Sequence, residues 1–351
     1  MKYCEGRTMC FRKPSVLSFA AVVGKAENDG PYGGEFDEVI GDNKGGADTW
    51  EQAEALFQRR AVNHVLRKAE LTPDRIDLVI AGDLLNQCVG SSYGLKDYFM
   101  PYLGIYGACS TFAEGLLLSA ALVNAGYMDT VIASTSSHYS TAERQFRFPL
   151  NYGGVRTPTS QWTATAAGAA LVGSSGKPPF IRAATIGKIE DMGITDMNNM
   201  GAAMAGGAPR TPAPPSSPAG AAYDTLTRHM KHRGTHPQDY DLIITGDLGQ
   251  VGSDLLYDLF QRDGVDMKSH HRDCGLMLYD RTMQDVHAGG SGCGCSASMM
   301  CGHFLGRVQS GELKRILYCA TGALMSPTMV QQGGSIPGIA HCVEISSEAG
   351  G

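Results

Sequence analysis

The amino-acid sequence repeats itself across its two halves. Residues 73–84 read PDRIDLVIAGDL, and residues 237–248, 164 positions later, read PQDYDLIITGDL, with seven of the twelve positions identical. In each copy a helical stretch precedes a run of aliphatic residues that ends in Gly-Asp-Leu. A repeat of this kind indicates a doubled structural unit made of a helix, a turn and a buried strand.

A second pair of similar segments follows the first. Residues 107–134 and 294–319 each begin with Gly, Cys and Ser, continue as a helix, stop at Gly126 or Gly311, and end in a strand. The first of these helices, residues 110–124, is apolar on nearly every face. Such a helix is typical of the interior, between two layers.

These repeats predict an α/β protein of two equivalent halves. We place the halves at residues 1–180 and 181–351, and we expect the second buried helix at residues 297–310. Residues 206–220, GGAPRTPAPPSSPAG, fit neither copy of the repeat. Their proline and small polar residues predict an irregular, solvated insertion in the second half.

The charge balance argues against several kinds of partner. The chain carries 29 Lys and Arg against 35 Asp and Glu, a net charge of −6, and its longest basic run is Arg59 and Arg60. We therefore expect no nucleic-acid partner. No apolar run approaches the roughly 18 residues of a membrane span, so any membrane role is expected to be peripheral. The run at residues 16–23 predicts a core strand and not a secretory signal, which favours an intracellular protein with reduced cysteines.

Cys109 is the first candidate for chemistry. It lies between Gly107-Ala108 and the buried helix, where unsatisfied N–H groups at the helix start would stabilise its thiolate. A thiolate there could attack an acyl carbonyl, with nearby amides as an oxyanion hole. It could equally be a small apolar residue in a tight turn, since burial raises the pKa of a thiol.

The doubled chain, with GACST at residues 107–111 before a buried helix, resembles the thiolase and ketoacyl-synthase superfamily over nearly its whole length. The resemblance implies a five-layer αβαβα fold with two pseudo-equivalent halves, and it puts Cys109 at the nucleophile position. It also implies a His or Asn in the second half that completes the oxyanion site, where this chain has Cys293. A neutral thiol is a weak hydrogen-bond donor and would stabilise an oxyanion poorly.

Two further interpretations concern histidines and cysteines nearby. His287 could act as a base, or it could donate to a backbone carbonyl under the Gly-rich loop. Cys293, Cys295 and Cys301, with His287 and His303, lack the paired CxxC spacing of structural zinc. We therefore expect no metal site, and we expect no cofactor.

Longer strings resemble the stage V sporulation protein AD family. They are GACST (107–111), ERQFRFP (143–149), PTSQWT (158–163), NNMGAAM (198–204), YDLIITGDLG (240–249) and HAGGSGCGCSA (287–297). The resemblance implies a sporulation protein without established acyl transfer that binds dipicolinic acid, pyridine-2,6-dicarboxylate. It implies support for uptake of that acid into the developing spore, together with membrane proteins of the same operon, at the periphery of the forespore or spore inner membrane. It also implies a homodimer through residues 82–88, whereas the insertion at residues 206–220 departs from the family pattern.

A flat dianion needs hydrogen-bond donors beside a slot for its ring. The candidate ligand-binding residues are Asp83, Cys109, Ser110, Arg144, Arg147, Arg156, His287, Cys293 and Gly294. The arginines could instead pair with Asp83 or Asp247. The rival functions are an acyl transferase or condensing enzyme that uses Cys109 with His287 as base, and a structural adaptor for membrane channel subunits.

Overall fold

Strands and helices alternate along most of the chain. The computed structural model describes residues 6–149, 152–206 and 219–349. Its strands are β1 (Thr8–Cys10), β2 (Ser15–Gly24), β3 (Glu38–Ile40), β4 (Leu78–Asp83), β5 (Tyr102–Gly104), β6 (Thr130–Ser137), β7 (Trp162–Thr163), β8 (Ala166–Gly173), β9 (Phe180–Thr185), β10 (Leu242–Thr245), β11 (His271–Asp273), β12 (Gly290–Ser291), β13 (Arg315–Ala323) and β14 (Gly338–Ser346). Its α-helices are α1 (Lys25–Asn28), α2 (Trp50–Ala69), α3 (Val89–Leu95), α4 (Thr111–Ala125), α5 (Tyr139–Arg147), α6 (Met200–Ala205), α7 (Ala221–Arg233), α8 (Gly249–Arg262), α9 (Cys274–Met277), α10 (Cys293–Met299), α11 (Leu305–Ser310) and α12 (Pro327–Gln331).

The main sheet contains the predicted doubling. Its strand order is β11-β10-β13-β14-β9-β2-β8-β6-β4-β5, with β1 beside β9 and β3 beside β2. The two Gly-Asp-Leu strands, β4 and β10, occupy equivalent places, each parallel to the strand that follows a buried helix. The two halves join where Ser15 pairs with Phe180. The boundary between residues 180 and 181 stays a prediction, because one sheet runs across it and β1 pairs with β9.

Five layers follow from the way the helices cover this sheet. Helices α2 and α3 lie outside the first half of the sheet, and α6, α7 and α8 lie outside the second half. Between the two halves lie α4 and α10, and α4 contacts strands of both. The buried apolar residues form one cluster in each of the three helical layers. The predicted αβαβα arrangement is therefore confirmed.

Helix α4 is the buried helix that the sequence predicts. Its first turns bury Phe112 and Leu116, and it ends at Gly126, whose φ of 80° provides the left-handed cap. By length and hydropathy, Ala108–Ala125 is a window that could cross a membrane, which corrects our statement that no run approaches 18 residues. This window is 67% buried within the fold, and the core helix of a folded protein passes the same test.

The second buried helix begins earlier than expected. It starts at Cys293 and continues through a π-helical turn, Met300–Phe304, to Ser310, whereas the sequence predicts a start at residue 297. The reason is Gly292, whose φ of 98° lets the chain enter the helix without a side-chain cap. Gly168 on β8 allows the helix to approach closely, because a Cβ there would lie 2.7 Å from the carbonyl oxygen of Ala297.

Three expectations about particular segments have different outcomes. Residues 82 and 83 belong to β4, whose Val79–Ala81 pair with β5, one of the two end strands of the sheet; the dimer through residues 82–88 stays a prediction. Eight described cysteines are free thiols, but Cys10 is disulfide-bonded, which corrects the expectation of wholly reduced cysteines.

Most of the Pro-rich insertion, residues 207–218, lies outside the described residues.

Candidate functional site

A pocket opens at the carboxyl ends of the central strands, next to the start of α4. Its mouth is open to solvent, and its cavity volume is about 50 Å³. It is lined by Leu84, Ala108, Cys109, Ala142, Glu143, Phe146, Arg147, Ser160, Gln161, Thr163, Met197, Asn198, Met200, Ser291, Ala323 and Met325. The carboxyl ends of parallel strands are the usual place for a ligand in α/β proteins, and here both halves contribute to it.

Cys109 lies at the floor of this pocket. The turn before it is held by Ser110, whose N–H and Oγ donate to the Gly107 carbonyl at 3.0 and 2.6 Å. Ala108 has a φ of 49°, a backbone conformation that non-glycine residues adopt rarely and that here turns Cys109 toward the pocket. The thiol is 5% exposed, and its Sγ lies 4.0 Å from Oγ of Ser291 in the second half.

The electrostatic surroundings of Cys109 favour the second of the two interpretations, a buried neutral thiol. Burial raises the pKa of the thiol well above its usual value, and the Asp247 carboxylate raises it further. The N–H of Gly292 is the backbone donor that acts in the other direction, and it does not offset burial. The start of α4 therefore does not produce a thiolate, because desolvation and a neighbouring negative charge outweigh the helix end.

Asp247 is the residue of the site that the sequence analysis missed. It is fully buried, and its carboxylate accepts hydrogen bonds from Ser291 Oγ at 3.1 Å, Gly292 N–H at 3.0 Å and Thr321 Oγ1 at 2.9 Å. The Cys109 Sγ lies 4.0 Å from Ser291 Oγ, so one hydroxyl group separates this thiol from the carboxylate. Burial raises the pKa of Asp247 to about 6. The signal for it was present, because Asp247 is the Asp of the second Gly-Asp-Leu copy.

Cys293 packs beside Cys109 but does not line the pocket. Both thiols belong to one small buried cluster with Leu84 and Ala142. The Cys293 Sγ donates to the Ser136 carbonyl at 2.9 Å, and burial raises the pKa of this thiol well above its usual value. Its hydrogen therefore points to the strand β6 and not to a place where an oxyanion could form, which corrects its assignment as a ligand-binding residue.

His287 also lies outside the pocket lining. Its Nε2 pairs with Asp285 Oδ1 at 2.9 Å, and its carbonyl accepts from Arg281 Nε at 3.0 Å. Its φ of 49° places it in a tight turn before the Gly-rich loop. The partner of the His287 side chain is therefore a carboxylate and not the predicted backbone carbonyl, and its role stays a prediction.

Of the three candidate arginines, Arg147 alone lines the pocket. Its Nη1 donates to both carboxylate oxygens of Glu143 at 3.2 and 3.1 Å, while its buried Nε has no hydrogen-bond partner among the described residues. Arg144 turns away and pairs with Glu51 on α2. Arg156 donates to Asp285 and lies 4.8 Å above the ring of Trp162. Neither of these two is a pocket residue, and none of the three pairs with Asp83 or Asp247 in the described structure.

The remaining candidates are structural. Asp83 is buried beneath α3, where it accepts from the backbone and side chain of Ser91 at 2.7 and 2.6 Å. Ser110 supports the turn before Cys109, and the N–H of Gly294 donates to Ser137 Oγ at 3.1 Å. These contacts occupy the polar groups of all three, so their assignment as ligand-binding residues is corrected.

Gln161 is a second pocket residue that the sequence analysis did not single out. Its Nε2 donates to the carbonyls of Asp247 and Gly290 at 2.7 and 2.8 Å, so it ties the loop before β8 to the floor of the site. The apolar walls come from Phe146 and from methionines at the start of α6 and the end of β13. These side chains come from segments far apart in sequence, and no local pattern marks them.

The cysteines and histidines of the second half do not converge on one point. The Sγ atoms of Cys293, Cys295 and Cys301 each donate to a different backbone carbonyl. Within the residues that the structure describes, no group of three His, Cys, Asp or Glu is arranged to hold a metal ion.

Comparison with known proteins assigns the chain to a family. The family model described as stage V sporulation protein AD matches residues 5–346. The chain belongs to the stage V sporulation protein AD family. It is 42% identical over 352 residues to the stage V sporulation protein AD of Bacillus subtilis (strain 168), covering 100% of this chain and 99% of that protein. The sporulation role predicted from the motifs is therefore confirmed at the level of the family.

Solved structures agree with the thiolase-like fold of this family member. A 3-oxoacyl-[acyl-carrier-protein] synthase III from Aquifex aeolicus VF5 superposes with a TM-score of 0.54 at 14% identity, over 95% of this chain and 99% of that one. Cerulenin-bound OleA of Xanthomonas campestris superposes with a TM-score of 0.61 at 14% identity, over 96% and 100%. At this identity the likeness establishes the fold and not the reaction.

Proposed function

We propose that this sporulation protein binds dipicolinic acid in the pocket above Cys109 and supports its uptake into the developing spore, without catalysing acyl transfer. It would act at the periphery of the forespore or spore inner membrane, together with membrane proteins of the same operon. The observation that carries the proposal is the pairing of the Cys109 thiol, through Ser291, with the buried carboxylate of Asp247: Cys109 Sγ lies 4.0 Å from Ser291 Oγ, which donates to Asp247 Oδ2 at 3.1 Å.

This pairing argues against catalysis because a nucleophilic cysteine needs a base or a positive neighbour that favours its thiolate. Asp247 has the opposite effect on the Cys109 thiol. The second requirement, an oxyanion donor from the second half, is unmet by Cys293, whose hydrogen is held by the Ser136 carbonyl. Loss of one such donor alone costs on the order of a hundredfold in rate.

The pocket lining supports a flat aromatic acid. Phe146, Met200 and Met325 provide apolar walls that can enclose a ring, and methionine side chains adapt to planar ligands. Arg147 presents an unpartnered buried Nε at the same pocket, so a carboxylate can bind there while Glu143 keeps its bond to Nη1. One cation and an apolar slot favour an aromatic carboxylate over a phosphate ester or an acyl carrier.

Calorimetric titration with dipicolinate tests the proposal. Saturable binding is expected, and pyridine-3,5-dicarboxylate, the same dianion with its carboxylates in other positions, should bind at least tenfold more weakly. Arg147→Gln should weaken dipicolinate binding by about tenfold or more, the value of a lost charge-assisted hydrogen bond. Arg144→Gln, on the same helix but paired with Glu51, is the matched control and should bind as the unmodified protein does. No saturable binding of dipicolinate would refute the proposal.

Acyl transfer is the alternative, and the position of Cys109 at the floor of the pocket favours it. Incubation with short and long acyl-CoA followed by mass spectrometry of the intact protein separates the two functions. An acyl adduct that disappears in Cys109→Ala would support the enzyme. A third function, that of a structural adaptor, would be supported by a pull-down of membrane subunits that needs no ligand and by unchanged uptake in Arg147→Gln.

We also propose that the protein is a homodimer that pairs through β5. This strand is one of the two end strands of the sheet, and Leu103 is 52% exposed on it. Tyr93, Phe99 and Tyr106 beside it are 62%, 94% and 45% exposed. An apolar patch next to an unpaired strand edge is a usual site of chain pairing.

A further inference from the structure

The floor of the pocket presents a hydrogen-bond donor that is already committed to Asp247. Ser291 Oγ donates to Asp247 Oδ2 at 3.1 Å, and Cys109 Sγ lies 4.0 Å from this Oγ. Both side chains line the pocket. A ligand carboxylate can only accept hydrogen bonds. It therefore meets the lone pairs of the Ser291 hydroxyl at this floor, with a second carboxylate one hydroxyl group behind them.

Among the described residues, no positively charged side chain bonds to Asp247. The titratable groups that surround Asp247 in the described structure are Cys109, Cys274, Cys293, Cys295, Tyr318 and Asp273. Each of these groups is neutral or negative. The cation at the pocket, Arg147, is paired with Glu143. Two carboxylates separated by one hydroxyl in a buried site repel each other strongly, and a proton between them removes the repulsion.

We propose that Asp247 takes up one proton from water when a carboxylate ligand binds in this pocket, so that binding is coupled to protonation; this inference rests on the proposed function. The protonated Oδ2 of Asp247 then donates to Ser291 Oγ, and the Ser291 hydroxyl turns its hydrogen to the ligand. Thr321 Oγ1 and the Gly292 N–H keep their bonds to the carboxyl group. The reversal of a single O–H···O bond changes the floor from an acceptor surface to a donor surface.

The coupling has a defined sign. Burial raises the pKa of Asp247 to about 6 in the free protein, so the carboxyl is about nine-tenths ionised at pH 7. A bound anion raises this pKa further. Between the two pKa values the affinity must fall about tenfold for each unit that the pH rises, and just below the lower of the two pKa values it must level off. The ligand's own carboxyl groups have ordinary pKa values near 4 and do not titrate in the higher range.

Proton uptake is measured by calorimetry of dipicolinate binding at pH 7 in buffers of different ionisation enthalpy. The unmodified protein should take up about 0.9 proton per ligand. Asp247→Asn, whose amide mimics the protonated acid, should take up about none and should bind with an affinity that changes less than twofold from pH 6.5 to pH 8.5. Asp83→Asn is the matched control, because it alters the Asp of the first Gly-Asp-Leu copy, outside the pocket lining, and it should keep the uptake.

The outcomes separate the inference from the function on which it rests. Binding without proton uptake, or uptake that persists in Asp247→Asn, overturns the inference and leaves dipicolinate binding intact. Absence of binding overturns the proposed function instead. If Asp247→Asn does not fold, the affinity profile of the unmodified protein decides the question: a bend near pH 6 supports the inference, and a flat profile from pH 5 to pH 8.5 refutes it.

Discussion

Glu344 on β14 provides a quantitative test of how the second half is held together. It is 2% exposed and accepts four N–H bonds, two each from Arg233 and Arg315, at 3.0–3.2 Å, with His229 Nε2 at 3.3 Å. Burial opposes its ionisation, but the hydrogen bonds from His229 and Arg233 outweigh burial and hold the pKa of Glu344 well below its usual range. Glu344→Gln keeps the shape and removes the charge.

The expected loss is at the lower end of the 3–5 kcal/mol for breaking a buried ion pair, about 3 kcal/mol, because the arginine side chains are 24% and 28% exposed and can reach water. An unfolding entropy of about 2.1 cal/mol/K per residue over 351 residues converts this into a fall in Tm of about 4 °C. The pKa of Glu344 is lower in the folded protein than in the unfolded chain, where it is about 4.3. The ionised carboxylate therefore contributes its full stabilisation above about pH 4.3, and this stabilisation is lost as the pH falls further. Denaturant unfolding should therefore show that the difference in free energy of unfolding between Glu344→Gln and the unmodified protein is about 1 kcal/mol smaller at pH 3.5 than at pH 7.5. Glu348→Gln, at an exposed position, is the control. A Tm of Glu344→Gln within 1 °C of the unmodified protein would refute the reasoning. A difference in free energy of unfolding that is equal at both pH values would also refute it.

Three further predictions concern the site, the central layer and the sheet edge. Because burial raises the pKa of the Cys109 thiol, iodoacetamide at pH 7.5 should label it at least tenfold more slowly in the folded protein than in urea, and mass spectrometry showing equal rates would contradict this. Gly168→Ala should lower the stability by about 1–3 kcal/mol, since its Cβ would lie 2.7 Å from the carbonyl oxygen of Ala297. Gly306→Ala, in a helix with no atom within 4 Å of the added Cβ, is the control and should raise the stability by up to about 1 kcal/mol. Thermal melts in which Gly168→Ala is more stable than Gly306→Ala would contradict the prediction. Leu103→Asp should convert a dimer into a monomer in light scattering after size exclusion, and an unchanged mass would show that β5 is not the interface.

The features that the sequence predicted are those that local patterns determine. The repeated strand-to-helix segments predicted the doubled sheet, and the uniformly apolar residues 110–124 predicted a helix between its halves. Thr49 and Gln52 form a capping box at the start of α2, a pattern that is visible in the local sequence. The start of α10 was placed late because Gly292 opens it through a positive φ and not through a recognisable cap.

The details of the site depend on distances between segments that the sequence does not encode locally. Arg144 and Arg147 lie three positions apart on one helix, about 60° apart around its axis, which is enough to aim one at α2 and the other at the pocket. Asp247 reaches Cys109 only because both halves bring their strand ends to one place. The repeat contained this information, but its two aspartates have different surroundings: Asp83 bonds to Ser91 under an outer helix, whereas Asp247 bonds to the pocket floor.

The pairing of β1 with β9 has a consequence for how the protein is assembled. Thr8 lies opposite Thr185, so β1 pairs with a strand about 180 residues farther along the chain. A contact of such sequence separation forms late, because the loop between the partners must be closed first. The pairing of β1 is therefore among the last steps that complete the sheet beside β9. Deletion of Thr8–Cys10 should lower the stability of the second half of the sheet while leaving the first half folded.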